Sequence, residues 1–470
     1  MVNCGAATYA LHTINPPRLG YVVMAMMAQG VAHAGILRRV VVVASRRPAE
    51  ADYLAIAMLS PLQSLRDLRS GALRGPLRAL QHTDFRRFVA GQGISLVGTW
   101  MQSIAQGWLV LELTHSAFAV GLTGTLATLP ILLFTLYGGV VADRVDKRRF
   151  IMLLQTIMLL EATTLAVLTL THQVTVYWIW GLAALFGLAT AFEVPARQAF
   201  LVELVPPKDL VSAAAINSTT YNLARVFGPA IAGVIVAAAG PGAAFAVNAL
   251  SYVAVLIGLS RIQKQYLPKT STTRLSVFTG LRFIGASPTL AALAWQMVLL
   301  TVFAGSFIPI LAVYAREQLQ VGAPGYGLLT SAIGVGAAIG AITMGAMSSR
   351  FHRARVAVVA SAVLGVMVVL LALVHAMSLA LPLLAVAGAA MASQGIVTAT
   401  GLQLAAPSEL RGRVMAVYSF VVLGLAPIGA FQAGFVAEHL GVGWSIGISG
   451  AIFLVGTLIQ RRRLWHGSEV

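Results

Sequence analysis

The sequence predicts an all-α membrane protein: twelve transmembrane helices in two six-helix bundles of pseudo-symmetric build. Three observations carry this. Of 470 residues, 58% are hydrophobic and only 10% charged, against roughly 25% charge in an average soluble domain. The apolar residues gather in blocks of about 20, the length that crosses a ~30 Å hydrocarbon layer as a helix. A charged loop in the first half of the chain also recurs in the second. Nothing alternates with period two as barrel strands do. Backbone groups in lipid must be satisfied within the segment, so the blocks are helices.

The blocks lie near 86–111, 117–141, 149–171, 175–201, 211–239, 241–260, 291–314, 324–348, 355–374, 378–404, 411–437 and 441–460. Their loops divide by charge. One set holds Arg144, Lys147, Arg148, Arg149, Lys208, Arg261, Lys264, Lys269, Arg274, Arg282, Arg350, Arg353, Arg355, Arg411 and Arg413; the other holds Arg316 alone. The positive-inside rule puts the rich set, and both ends of the twelve-helix unit, in the cytoplasm. The net charge of +17 is therefore punctuation between spans rather than a basic stripe, and no nucleic-acid partner is expected.

Taken in order, residues 1–84 precede the first span as a cytoplasmic extension. "YVVMAMMAQGVAHAG" has the look of a short signal-peptide core, but its export would carry eight arginines outward against the charge rule. Translation that begins near Met58 is the other reading. Residues 85–260 form the first bundle. A linker, 261–290, follows with five basic residues and no acid, and Leu275, Phe278, Leu281 and Ile284 suggest a short surface helix within it. Residues 291–463 form the second bundle and 464–470 a tail.

Other chemistries find little support. The glycines of "GVGAAIG" (334–340) lie inside a span, where close helix packing explains them better than nucleotide binding. There is no phosphate-binding Gly-x-x-x-x-Gly-Lys-Ser/Thr and no cluster at metal-ligand spacing, so no cofactor and no metal are expected. Cys4 is alone, which rules out an intrachain disulfide. His33, His82, His115 and His172 are read as ordinary surface residues. No nucleophile–base pair appears in the spans, so an enzyme is not expected.

The repeat is specific. "GGVVADRVDKRRF" (138–150) and "GAMSSRFHRARV" (345–356) superpose without gaps at an offset of 206, pairing Gly139 with Gly345, Arg144 with Arg350, Lys147 with Arg353 and Arg149 with Arg355. "PKDL" (207–210) and "PSEL" (407–410) agree at an offset of 200, each ahead of a proline-bearing span. Parallel repeats imply a pseudo-two-fold axis along the membrane normal, with a site between the halves.

On these residues the chain resembles the major facilitator superfamily. Gly139-x-x-x-Asp143-Arg144-x-x-Lys147-Arg148 is similar to its signature loop, with Asp146 where many members have glycine. "GPAIAG" (228–233) is similar to a fifth-span motif of proton-coupled antiporters, with Ala232 replacing a glycine. "GTWMQSIAQGWLVLELT" (98–114), "EVPARQAFLVELVP" (193–206), "INSTTYNLARVFGPAIAG" (216–233) and "LRGRVMAVYSF" (410–420) resemble the bacterial branch of transmembrane secretion effectors, which includes enterobactin and macrolide exporters. The resemblance implies a multi-pass protein of the bacterial cytoplasmic membrane. It also implies an inner-gate latch built from Gly139, Asp143, Arg144, Lys147, Arg148, Glu203, Arg350 and Arg413. In that latch Asp143 faces the start of span eleven near Gly412 and Arg413, and Lys147 and Arg148 reach Glu203. The plainer reading is a set of charges that fixes topology.

Inside the spans, Gln92, Ser95, Thr99, Gln102, Ser103 and Gln106 form one polar stripe on span one, which suits a wet cavity or a helix interface. Gln102 and Gln106 are candidate cargo contacts. So are Asn217, Tyr221 and Arg225 on span five, Gln296 and Gln394. Glu193 with Arg197 or Arg225 is the first candidate for proton coupling, since an acid whose arginine partner comes and goes loads and releases a proton. A permanent structural ion pair is the alternative. Glu161 is a second candidate with no visible partner. The function expected is a monomeric secondary exporter of a small amphiphile, drug-like or siderophore-like, working by alternating access with proton antiport. An importer or lipid flippase on the same scaffold is the nearest alternative; a membrane enzyme or receptor is the alternative from another class.

Overall fold

The computed structural model describes residues 75–262, 277–347 and 353–465. The readings made for the extension up to residue 74, for Leu275 and for Arg350 lie outside the described residues. A 3-10 helix, Gly75–Gln81, leads into α1 (Thr83–Thr114), α2 (Ala117–Arg144), α3 (Lys147–Leu170) and α4 (Val176–Glu203). The next helix, Leu210–Ser260, contains a break at Gly240, whose φ of 79° is open to glycine without strain. We call its legs α5 (210–239) and α6 (241–260).

The break is a reversal. Gly93 of α1 faces Thr220 and Trp100 faces Gly228, so α1 and α5 run parallel; Gly91 faces Val255 and Gly98 faces Asn248, so α6 runs back against α1. One glycine thus separates the fifth and sixth spans, as expected.

In the second half, α7 (Val277–Ala286) meets α8 (Pro288–Leu299) at 116°, the short linker helix that was expected. Ile284 is buried while Leu281 is exposed. Then come α9 (Ala323–Met347), α10 (Arg353–Leu373), α11 (Met377–Ala405), α12 (Ser408–Ser419), α13 (Ala426–Leu440) and α14 (Val442–Trp465). Among the described residues, nine helices are long and apolar enough to cross a membrane, ten with the bent pair. Leu210–Ser260 counts once there, and α1 is left out because its polar stripe lowers its hydropathy. The expected twelve requires both legs and α1.

Two spans are not the continuous helices the sequence suggests. The seventh passes from α8 through a π turn (Leu300–Ala304) and an irregular stretch before helical structure resumes at Leu311; the eleventh breaks at a π turn (Phe420–Gly424) between α12 and α13. Pro309 and Pro427 sit at these breaks. Each lacks an N–H and crowds the carbonyl four residues back, and a π turn absorbs the misfit.

Helix pairs repeat across the halves. α2 packs on α4 through Gly187 and Gly138, and α9 packs on α11 through Gly336, Gly340 and Gly388. The "GVGAAIG" glycines therefore do serve close helix packing. Between the halves, α2 meets α13, and α5 meets α9. These are equivalent contacts exchanged by a two-fold relation, as the parallel repeat requires.

The start of the described chain is stapled to the bundle. Asp209, at the head of α5 and 2% exposed, takes Arg78 Nε at 3.0 Å and His82 Nε2 at 2.8 Å, while Ser212 Oγ accepts from Ala79 N–H. His82 is therefore not the plain surface residue expected. Asp209→Ala strips both partners and is expected to cost about 1–3 kcal/mol of stability, discounted because Arg78 is partly solvated. A thermal-shift assay on purified protein reads it as a lower unfolding temperature.

Candidate functional site

The halves are joined along one end. Gly121 of α2 lies against Gly434 and Ala430 of α13, Gly124 against Pro309, and Leu132 against Gly424. On the other side of the axis Gly233 and Pro229 of α5 meet Ala323, Pro324 and Gly327 of α9, and Ser331 Oγ donates to the Val226 carbonyl at 2.8 Å. Trp108 stacks on Tyr326 with centroids 6.3 Å apart. All of these lie from the middle of the spans towards the end opposite the basic loops.

At the far extreme, Glu438 of α13 crosses to the first turn of α2. Its Oε2 accepts from Ser116 Oγ and from Phe118 N–H, both at 3.0 Å. A carboxylate at a helix N-terminus meets free N–H groups and the positive end of the helix dipole. Beside it, Arg316 Nη1 reaches the Leu111 carbonyl at 3.5 Å. Burial holds the Glu317 carboxyl above its usual range; the neighbouring Glu438 adds to this and Arg316 opposes it.

The basic end is arranged differently. Lys147, buried, pairs with Glu203 at 2.8 Å, as the resemblance implied. Arg148 does not reach Glu203: its Nε and Nη2 donate to the carbonyls of Leu259 and Ser260, tying α3 to α6. Asp146 caps α3 by accepting from Arg149 N–H at 3.0 Å, which explains an acid where a glycine was expected. No hydrogen bond or ion pair joins the Asp143 side chain to another described residue, Arg144 is exposed, and the Arg413 backbone lies against Gly280 of α7. Gly139 and Gly345 have open space where a Cβ would be; the glycine that meets α4 is Gly138.

Within the first half the polar stripe turns inward. Gln102, 3% exposed, donates through Nε2 to both oxygens of Glu161 at 3.0 Å, and its Oε1 accepts from Asn248 Nδ2 at 2.6 Å. Ser251 Oγ donates to Asn248 Oδ1 at 2.9 Å, and Thr99 Oγ1 lies 3.3 Å from the Tyr252 hydroxyl. α1, α3 and α6 are thereby stitched together, with Gly98 leaving room for Asn248 and Ser251. In this pose Gln102, expected as a cargo contact, is a buried strut between helices. Gln106 is buried as well. Asn248, Ser251 and Tyr252 were not singled out in the sequence, although polar residues on an apolar span are the signal that marks them.

Glu193 pairs with Arg197 at 3.0 Å, and Gln155 Nε2 donates to it at 3.3 Å. Arg225 is not its partner. Instead the Arg225 guanidinium carbon lies 5.8 Å from the centroid of Trp100, whose ring meets Tyr221 edge-on at 6.1 Å. Asn217 lies half-buried two turns below Arg225. In the second half Gln296 and Gln394 are fully buried: Gln296 donates to Thr457 Oγ1 at 2.6 Å, and Gln394 to the Gln296 carbonyl at 3.3 Å. They bind helices together and do not line an opening. Among the described residues no group of His, Cys, Asp and Glu has a metal-binding arrangement.

Comparison with known proteins follows the same lines. The family model for transmembrane secretion effectors matches residues 74–468. The multidrug efflux pump Tap of Mycolicibacterium fortuitum is 28% identical over 368 residues, covering 75% of this chain and 87% of Tap. The enterobactin exporter EntS of Salmonella choleraesuis is 26% identical over 381 residues, covering 80% of this chain and 92% of EntS. Among solved structures, the nucleoside transporter NupG shares the fold with a TM-score of 0.65 at 13% identity, covering 82% of this chain and 99% of NupG.

Proposed function

Because this multi-pass membrane chain belongs to the transmembrane secretion effector family, we propose that it is a secondary exporter that moves a small amphiphile out of the cytoplasm by alternating access with proton antiport. The observation that carries this reading is the one-sided seam: the halves pack at Arg225, Leu132 and onward towards the Glu438 end, and among the described residues no side-chain bond clasps Asp143 to the other half. With the basic loops in the cytoplasm, this pose opens inward. The open space at Gly139 and Gly345, related by the repeat, is where α2 and α9 would meet the opposite half in the outward pose. There Asp143 would cap α12 as Glu438 now caps α2, one carboxylate at each end of the pairing between the second and eleventh spans. The relatives' names, a drug efflux pump and a siderophore exporter, support small-molecule export.

For coupling, the geometry favours Glu161 over Glu193. Glu193 and Arg197 are four residues apart on one helix, so rocking of the halves cannot part them. Glu161, 1% exposed, takes its side-chain hydrogen bonds from the neutral Gln102 amide and has no ion pair among the described residues, and an ionised carboxylate there is costly without a cation. Glu161 is the proton carrier in this account, and Gln102 holds it in place.

The outer clasp gives a smaller test. Glu438 is exposed, so its hold on α2 is worth ~0.3–1 kcal/mol, or about a two- to fivefold bias. Glu438→Gln should shift the population outward-open by that factor, read as faster labelling of a cysteine placed at the Ser116 end. The exporter reading itself is tested by reconstituting the protein in vesicles, imposing a pH gradient and screening amphiphiles for uptake with proton flux. Absence of any gradient-driven movement across a broad screen would count against it.

A further inference from the structure

We propose that the cargo carries an anionic group beside a flat apolar ring, and that Arg225, Trp100 and Tyr221 receive it. This rests on the exporter reading above and narrows its cargo. The faces of α5 meet different neighbours. Thr220 and Gly228 turn towards α1, with Ala224 buried on the stripe between them, and Val226, Pro229 and Gly233 turn towards α9. At 100° per residue two arcs remain between these faces. One carries Leu223, Phe227 and Val234, all more than half exposed, as a lipid-facing surface would be. The other carries Ser218, Tyr221 and Arg225. A guanidinium near mid-span is too costly to face lipid, so this second arc faces the gap between the halves.

Its height is equally specific. The Arg225 carbonyl lies against Gly334 of α9, so Arg225 stands at mid-span beside the seam between the halves. Tyr221, one turn towards the open end, is 42% exposed. No carboxylate pairs with Arg225 among the described residues: Glu193 is committed to Arg197 and Glu161 to Gln102. A cavity that held both Arg225 and a free Glu193 would not choose between cargo charges. This arrangement does choose. It offers a planar fork for a carboxylate, sulfonate or phosphate, and the Trp100 and Tyr221 rings beside it for an aromatic or flat apolar body.

The test is equilibrium dialysis of the purified full-length protein against two probes with the same ring and opposite charge, naphthoate and naphthylmethylammonium. The expected result is naphthoate bound about tenfold or more tightly than the ammonium, the preference lost in Arg225→Gln and partly kept in Arg225→Lys. Arg225→Lys, which keeps the charge, guards against a change that merely unfolds the protein, checked by size-exclusion profile. Equal or tighter binding of the ammonium, failure of naphthoate to bind, or a naphthoate affinity untouched by Arg225→Gln each overturns the proposal. Binding is read without transport, so vesicles that move nothing would sink the exporter reading alone, and cation-preferring binding would sink this one alone.

Discussion

Glu161→Gln abolishes proton-driven accumulation of cargo while cargo-for-cargo exchange continues. One proton moved per cargo allows about a tenfold accumulation ratio per unit of pH gradient, since a pH unit is worth ~1.4 kcal/mol. The variant should fall to a ratio of about one. Glutamine matches glutamate in shape, and its carbonyl still accepts from Gln102 Nε2, so the strut between α1 and α3 survives. Only the titratable proton is removed. Exchange needs the halves to rock but needs no net proton movement, and it separates a lost carrier from a broken fold. Glu193→Gln is the contrast: it leaves Arg197 buried without its anion, so it should lower stability first. Gradient-driven accumulation that survives in Glu161→Gln would remove Glu161 from the coupling role.

Gly121→Val holds the protein outward-open. A Cβ at 121 would lie 2.6 Å from the Gly434 Cα and 2.7 Å from the Ala430 carbonyl oxygen, both backbone, so no rotamer change relieves the clash. Overpacking of this kind costs about 1–3 kcal/mol. It is felt only when the far ends of α2 and α13 are together, so it acts on the equilibrium between poses and not on either bundle. The shift is about fivefold to over a hundredfold, enough to depopulate the inward-open pose and slow export in proportion. Cysteine labelling from the two sides of the membrane reads it: far-end sites gain reactivity and basic-end sites lose it. Unchanged labelling would mean the seam does not close in the cycle.

Much of the architecture was legible from spacing. Apolar blocks and basic loops marked the spans, and the block ends placed at 239 and 241 bracket the break at Gly240. The polar stripe on α1 was legible too, but not what it faces. Gln102 meets Glu161 and Asn248, 59 and 146 residues away. The period of one helix says which residues share a face; it does not say which neighbour that face meets. For the same reason Glu161 showed no partner in the sequence and Glu193 looked free to exchange arginines. The interruption at Pro427 was half visible, since proline marks a weak point in a helix but not whether it kinks or breaks, while Pro309 was not singled out. Asp209 gave no sign of its partners, since Arg78 and His82 lie more than a hundred residues away and a pre-span segment that folds back leaves no periodic trace.

Spin-label distances across the gap, one pair joining the loop ends near Arg144 and Arg411 and another joining Ser116 to His439, test alternating access most directly. On adding cargo or reversing the pH gradient, the first distance should shorten as the second lengthens, in the same fraction of molecules. Two distances that stay fixed, or that lengthen and shorten together, would contradict the account.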